Sequence, residues 1–292
     1  MTTFSWKDIA RTSSVGEHAM RITPKGIARG ERSWEELRAE LGANLGRIGY
    51  IVQSEIRAKV FDKVFGQLWL LLEPVIFAGL YYFVTAVVFG TTGEQRQFLS
   101  ILTAVVFWRW FSRTVDGSPT CIVGYGGVLK QTRFPVIMVV LTFMATEAFF
   151  FAMSFLVLIA FLAAYGCYPS LAYAWIPLVL AAQMSLMLFL TIVFSAIGTF
   201  VKDLAGILYA VTGIWWYLSP GIYPVSKIPQ EWLWLYLLNP FAHILPAYRD
   251  ILIDGTNPHW GPLCIILVVF SILSAIALRV FNWARYYFFV FL

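Results

Sequence analysis

The sequence predicts an all-α, polytopic membrane protein with six transmembrane helices, an N-terminal amphipathic interface helix and a re-entrant region before the last span. Three observations carry that expectation. Of 292 residues 60% are hydrophobic and only 13% charged, with a mean hydropathy of +0.74, more apolar surface than a globular domain of this length can bury within itself. Apolar runs of roughly 20 residues, enough to cross about 30 Å of hydrocarbon, begin near Gly66, Gln97, Pro135, Tyr173, Leu204 and Gly261. The run after Leu204 is broken by Ser219-Pro220-Gly221, Tyr223-Pro224 and Asn239-Pro240 instead of ending in a charged loop. In a bilayer such breaks are tolerated only where the freed backbone is buried in protein or lines a wet cavity, so a conduit or a re-entrant wall is expected there.

Residues 1–32 read as a cytoplasmic tail in which Gly16, Pro24, Gly26 and Gly30 are scattered among charges. That polar, mixed-charge composition is not that of a cleavable signal peptide. Over 33–64, Ser33 and Glu36 have the form of a capping box, and Leu37, Leu41, Leu45, Ile48, Ile51, Val52, Ile56 and Val60 recur at helical spacing. An amphipathic helix along the inner membrane face follows from that pattern. The transmembrane domain then occupies 65–282, with spans over about 67–89, 97–115, 135–164, 173–200, 204–219 and 261–280 and a re-entrant region over 220–246. The segment Asp116 to Phe134 is rich in Gly, Ser and Pro and reads as a structured turn; residues 283–292 read as an aromatic cytoplasmic tail.

The net charge of +5 does not point to nucleic acid, because the basic residues are neither gathered on a soluble domain nor interleaved with stacking aromatics. They report orientation instead. Of 21 Lys and Arg, 11 precede Gly66. Arg109, Arg113, Lys130, Arg133, Lys202, Arg279 and Arg285 fall near the same side, leaving only Arg96, Lys227 and Arg249 opposite. This positive-inside bias places both termini in the cytoplasm.

Enzyme chemistry has no foothold in the residues. His18, His243 and His259 are far apart, Cys121, Cys167 and Cys264 lack metal-ligand spacing, and there is no Asp-X-Asp pair. Gly124-Tyr125-Gly126-Gly127 followed by Lys130 lacks the Gly-Lys-Ser/Thr of a phosphate loop, so nucleotide hydrolysis would belong to a separate subunit. Ionisable groups inside spans cost about 2.5 to 3.5 kcal/mol on insertion scales, so Glu73, Arg109 and Glu147 need partners. At about 1.5 Å per residue, Glu73 and Arg109 reach similar depths while Glu147 lies farther out, which favours a Glu73 to Arg109 pair. Tyr81, Tyr82, Trp108, Phe111, Trp215, Trp216, Tyr217 and Tyr223 offer flat faces on which sugar rings can stack and slide.

Several short motifs recur in order along about Gly46 to Pro258: Phe65-Gly66-Gln67-Leu68-Trp69 with Pro74, Trp108 to Ser112, Phe134-Pro135, Lys202-Asp203, Leu218-Ser219-Pro220, Tyr223-Pro224, Pro229, Asn239-Pro240 and Tyr248-Arg249. In these the chain resembles the membrane subunit of ABC-type polysaccharide and polyol-phosphate exporters, which move O-antigen, capsular polysaccharide or teichoic acid. One departure is Tyr125-Gly126-Gly127, where that family often carries an Asn.

The resemblance implies export of a lipid-linked polysaccharide across a bacterial inner membrane by a homodimer of this chain, joined to two copies of a separate ATP-binding subunit. No cofactor is implied in the chain itself; ATP and Mg would sit in the partner. Arg57, Lys59, Lys130, Arg133, Lys202 and Asp203 would couple to the ATPase or guide lipid phosphate. Ser219, Pro220, Pro224, Asn239 and Pro240 would shape a re-entrant gate. Export of drugs or small lipids is the alternative and would want a greasier lining. A membrane glycosyltransferase would want inward carboxylate pairs, and a secondary transporter would want two repeat halves, which the sequence does not display.

Overall fold

A computed structural model describes residues 21–23, 26–28, 46, 48–57, 66–88, 90, 95–127 and 135–291. The chain divides into two units, residues 1–46 and 47–292. In the first, the described residues form a two-stranded antiparallel ladder, β1 (Arg21–Thr23) with β2 (Gly26–Ala28), pairing Arg21 with Ala28 and Thr23 with Gly26.

The described residues of the second unit are predominantly helical. A helix over 48–57 (α1) precedes α2 (Gly66–Phe83), which runs on as a π turn, Val84–Val88. Then follow α3 (Gln95–Gly124), α4 (Val136–Ala164), a 3-10 turn Leu171–Trp175 leading into α5 (Ile176–Gly198), and α6 (Leu204–Tyr217). Two short helices, α7 (Gln230–Tyr236) and α8 (Phe241–Arg249), occupy the broken region, and α9 (Trp260–Phe291) closes the unit. Val136–Ala164, Leu171–Gly198 and Trp260–Ala284 are long and apolar enough to cross a membrane, and Leu72–Val87 and Leu204–Tyr217 are shorter apolar helices. The 14 residues of α6 reach about 21 Å, short of the hydrocarbon thickness, and the Ser219-Pro220-Gly221 turn ends it there.

The core is built around α3, which packs against α2, α4, α5, α6 and α8, while α9 lies along α5. Its centre is aromatic. Phe107 and Tyr248 stack with ring centroids 3.4 Å apart and planes 8° from parallel, both without exposed surface. Gln183 of α5 donates through Nε2 to the Phe107 carbonyl at 3.0 Å, tying one buried amide to the neighbouring helix.

Two helices run farther than the sequence suggests. The second span, expected to end at 115, continues as α3 to Gly124 through Pro119, which removes the amide that would have bonded the Val115 carbonyl. Ser118 Oγ donates to that carbonyl at 2.7 Å and makes up the loss. Gly198 of α5 abuts the Pro119 backbone, where any side chain would collide, so the helices cross closely at this point. The last span, expected to end near 280, continues as α9 to Phe291, because no Gly or Pro follows Pro262 to stop it.

Candidate functional site

A polar stripe runs down α3: Arg109, Ser112, Arg113, Asp116 and Thr120 fall at helical spacing on one side of an otherwise apolar helix. Two cavities, of about 370 and 680 Å³, open along it and share Arg109, Ser112, Asp116 and Tyr209. Together they form one groove. It extends from Val105 to Gly124 of α3, roughly 29 Å at about 1.5 Å per residue, close to the thickness of a bilayer's hydrocarbon.

Beneath the groove, four charges link three helices. Arg109 pairs with Glu73 of α2, and Arg113 Nη1 reaches the same carboxylate at 3.4 Å. Arg113 Nε also lies 3.3 Å from Glu147 Oε2 of α4. The guanidiniums sit over rings as well, Arg109 4.8 Å from the centroid of Phe77 and Arg113 5.4 Å from that of Phe150. Side-chain exposure is 13% for Glu73 and 6% for Glu147 but 34% for each arginine. The carboxylates are therefore turned into the protein and the cations edge the groove. Arg113, expected with the cytoplasmic charges, is drawn into the cluster; its spacing of four residues from Arg109 was the available signal. Asp116, also not singled out in the sequence, accepts a hydrogen bond from Thr212 of α6 at 2.8 Å and lines both cavities.

The eight aromatic candidates divide. Tyr81, Trp108, Trp216 and Tyr217 line the groove, joined by Tyr209 and Phe77. Phe111 has no exposed surface: it packs edge-on to Trp215 and Phe241 at centroid distances of 5.2 and 4.5 Å, so it fills the core and does not line the groove. Tyr82 turns the other way, onto Phe98 at 5.7 Å. Trp215 and Tyr223 line a separate cavity of about 440 Å³ with α7. Ring character alone marks all eight, so only packing distinguishes filler from lining.

The broken region is held by side chains. Asn239 Nδ2 donates to the Leu218 carbonyl at 3.1 Å and to Ser219 Oγ at 2.9 Å, while its Oδ1 accepts from Trp215 Nε1 and the Phe241 amide, each at 3.0 Å. From the opposite side, Arg249 donates to the Gly221 carbonyl at 2.6 Å and to the Ser100 carbonyl at 3.3 Å. Gly221 lies against the six-membered ring of Trp216, with no room for a side chain. Pro220 is buried, Pro224 is exposed ahead of a short 3-10 turn, and Pro240 caps α8. The clasp Asn239 forms was not visible as a role in the sequence, since Trp215, Leu218 and Ser219 lie 20 or more residues away.

Arg57 is exposed at the end of α1, and Lys202 and Asp203 are exposed at the turn into α6. Lys59, Lys130 and Arg133 lie outside the described residues. Tyr125 donates to Glu55 of α1 and joins that helix to the end of α3. Among the described residues no group of His, Cys, Asp and Glu is placed to hold a metal ion.

Residues 47–253 match the family model described as ABC-2 type transporter. Two Klebsiella pneumoniae proteins called O-antigen export system permease protein RfbA are each 26% identical over 254 residues, 87% of this chain and 97% of the relative. A Myxococcus xanthus protein of the same name is 26% identical over 248 residues, 84% of this chain and 95% of the relative. With an aromatic, polar-striped groove set among apolar helices and a family match over most of its length, the chain belongs to the ABC-2 type transporter family, as a multi-pass membrane subunit.

Proposed function

We propose that this chain is the transmembrane subunit of an ABC exporter that moves a lipid-linked polysaccharide of the O-antigen or capsule kind across the bacterial inner membrane. The carrying observation is the groove along α3. It offers Ser112, Asp116, Tyr209 and Tyr217 as hydrogen-bonding groups and Trp108, Tyr81 and Trp216 as ring faces over roughly the full hydrocarbon thickness. A polyhydroxylated chain needs both kinds of contact, and a greasy drug needs only one. The names of the relatives favour the same cargo.

In this reading two copies of the chain face each other across the path, and two ATP-binding subunits holding ATP and Mg drive them from the cytoplasm. Both termini would lie on that side, as the distribution of Lys and Arg favours. Lys202 and Asp203, exposed at the α5 to α6 turn, and Arg57 on α1 would meet the ATPase or the lipid phosphate. The clasped turn at Ser219 to Gly221 would carry the gate. Deleting the gene in its host should remove the surface polysaccharide while lipid-linked polymer accumulates inside, and the wild-type chain supplied in trans should restore export. Unchanged surface polysaccharide in the deletion would contradict the reading.

A further inference from the structure

We infer that the cluster of Glu73, Arg109, Arg113 and Glu147 holds a binding site for one ordered water, which joins Arg109 and Trp110 to the carboxylates around them. Two orphaned donors point to it. Trp110 is 6% exposed, and its ring is fixed by stacking on Phe151 of α4, with centroids 4.2 Å apart and planes 14° from parallel. Its Nε1–H is buried and meets no acceptor among the described residues, and the same is true of Arg109 Nε–H. A buried donor without an acceptor is costly, and native structures rarely keep two in one place unless water satisfies them.

Both residues line a small cavity where α2, α3 and α4 meet, together with Glu73, Arg113, Glu147 and Ser154. It has about 20 Å³ of room. One water needs about 10 to 15 Å³, so a single water fits and a sugar or phosphate does not. The lining selects the same occupant. An anion there would face the carboxylates of Glu73 and Glu147, and a cation would face the guanidiniums of Arg109 and Arg113. Water is neutral and has two lone pairs for the Trp110 and Arg109 N–H groups. Its two hydrogens are matched by the carboxylate oxygens and by Ser154 Oγ, which donates to the Phe150 carbonyl at 3.3 Å and still accepts. Buried waters commonly have that number of partners. Because Arg109 also lines both groove cavities, the water lies directly behind the groove wall and belongs to it whatever cargo passes.

The test is an electron cryo-microscopy map of the full-length chain with its ATP-binding partner in nanodiscs, at a resolution that shows ordered waters. One isolated peak should lie about 2.7 to 3.2 Å from both Trp110 Nε1 and Arg109 Nε, and its height should not change when buffer chloride is replaced by iodide. A second measurement puts 3-benzothienylalanine at Trp110, which keeps the shape of the ring and sets sulfur in place of the N–H. Its unfolding temperature should fall by about 2 to 4 °C, because the water loses a donor. The map needs no variant, so the site stays testable even if the replacement prevents assembly. No peak, a peak bonded to only one of the two nitrogens, or a direct protein acceptor for the indole overturns the water site. So does a peak that grows with iodide, which would be an anion, or an unfolding temperature that stays level or rises, which would mean that the N–H had no partner to lose. None of these results bears on the export reading, which the gene deletion decides separately.

Discussion

Arg113 and Glu147 join α3 to α4 through a 3.3 Å contact, and the same guanidinium reaches Glu73 on α2 at 3.4 Å. One arginine thus holds two helices whose carboxylates are almost entirely buried. Glu147→Gln should therefore lower the stability of the purified protein by about 1 to 3 kcal/mol, because the guanidinium loses a charged partner in a poorly solvated place. Exchanging Glu73 and Arg109 should restore only part of what each single change loses, since the exchanged arginine would then face Arg113. Thermal unfolding in nanodiscs reads both; full recovery in the exchange would show that Arg113 does not share the carboxylate.

Phe111 and Tyr217 are both aromatic candidates yet occupy opposite situations, wholly buried and 60% exposed. Phe111→Ala should cost about 3 to 5 kcal/mol of stability through the cavity it leaves among Trp108, Trp215 and Phe241. Tyr217→Ala should leave the unfolding temperature unchanged and reduce polysaccharide export several-fold. Measuring both quantities on both variants separates core from lining.

The helices themselves were legible because runs of apolar residues near 20 long need no tertiary information, and the break after Tyr217 was legible because Pro and Gly act locally. The pairing of Glu73 with Arg109 followed from depth alone. What stayed hidden depended on neighbours. Nothing near Pro119 announces that Ser118 will satisfy Val115 and Gly198 will admit the ring, so the helix seemed to stop early. Asp116 and Arg113 are on the stripe defined by Arg109 and Ser112, yet a stripe becomes a groove only when α6 leaves that side open. In a membrane both lipid-facing and core positions are apolar, so the periodicity that marks the core of a soluble helix is weak here.

Asn239 makes four hydrogen bonds across the broken region. Asn239→Ala should destabilise the protein by about 2 to 4 kcal/mol, leaving the Trp215 indole and the Leu218 carbonyl without partners. Asn239→Asp should retain the bonds to Trp215 and Phe241 but lose those to Leu218 and Ser219, and so lie between wild type and Ala. Protease protection of the 218–241 segment in nanodiscs checks the order.

Gly198 against Pro119 fixes how near α5 comes to α3. Gly198→Leu should force the two helices apart at a cost of about 1 to 3 kcal/mol and depress export in step with the loss of folded protein. Gly206, which has open space around the position of a side chain, should accept Ala with no loss of stability. Thermal midpoints of the two variants make the comparison.

The groove along α3 and α6 as the route of the polymer is tested most directly by light-activated crosslinking inside exporting cells. A benzophenone amino acid placed at Tyr209 or Tyr217, both exposed on the groove, should capture polysaccharide and shift the chain to a ladder of heavier glycan-positive bands. The same group at Val268, exposed on α9, should capture none. Glycan captured equally from Val268, or none from either tyrosine while export proceeds at the normal rate, would contradict the assignment of this groove as the path.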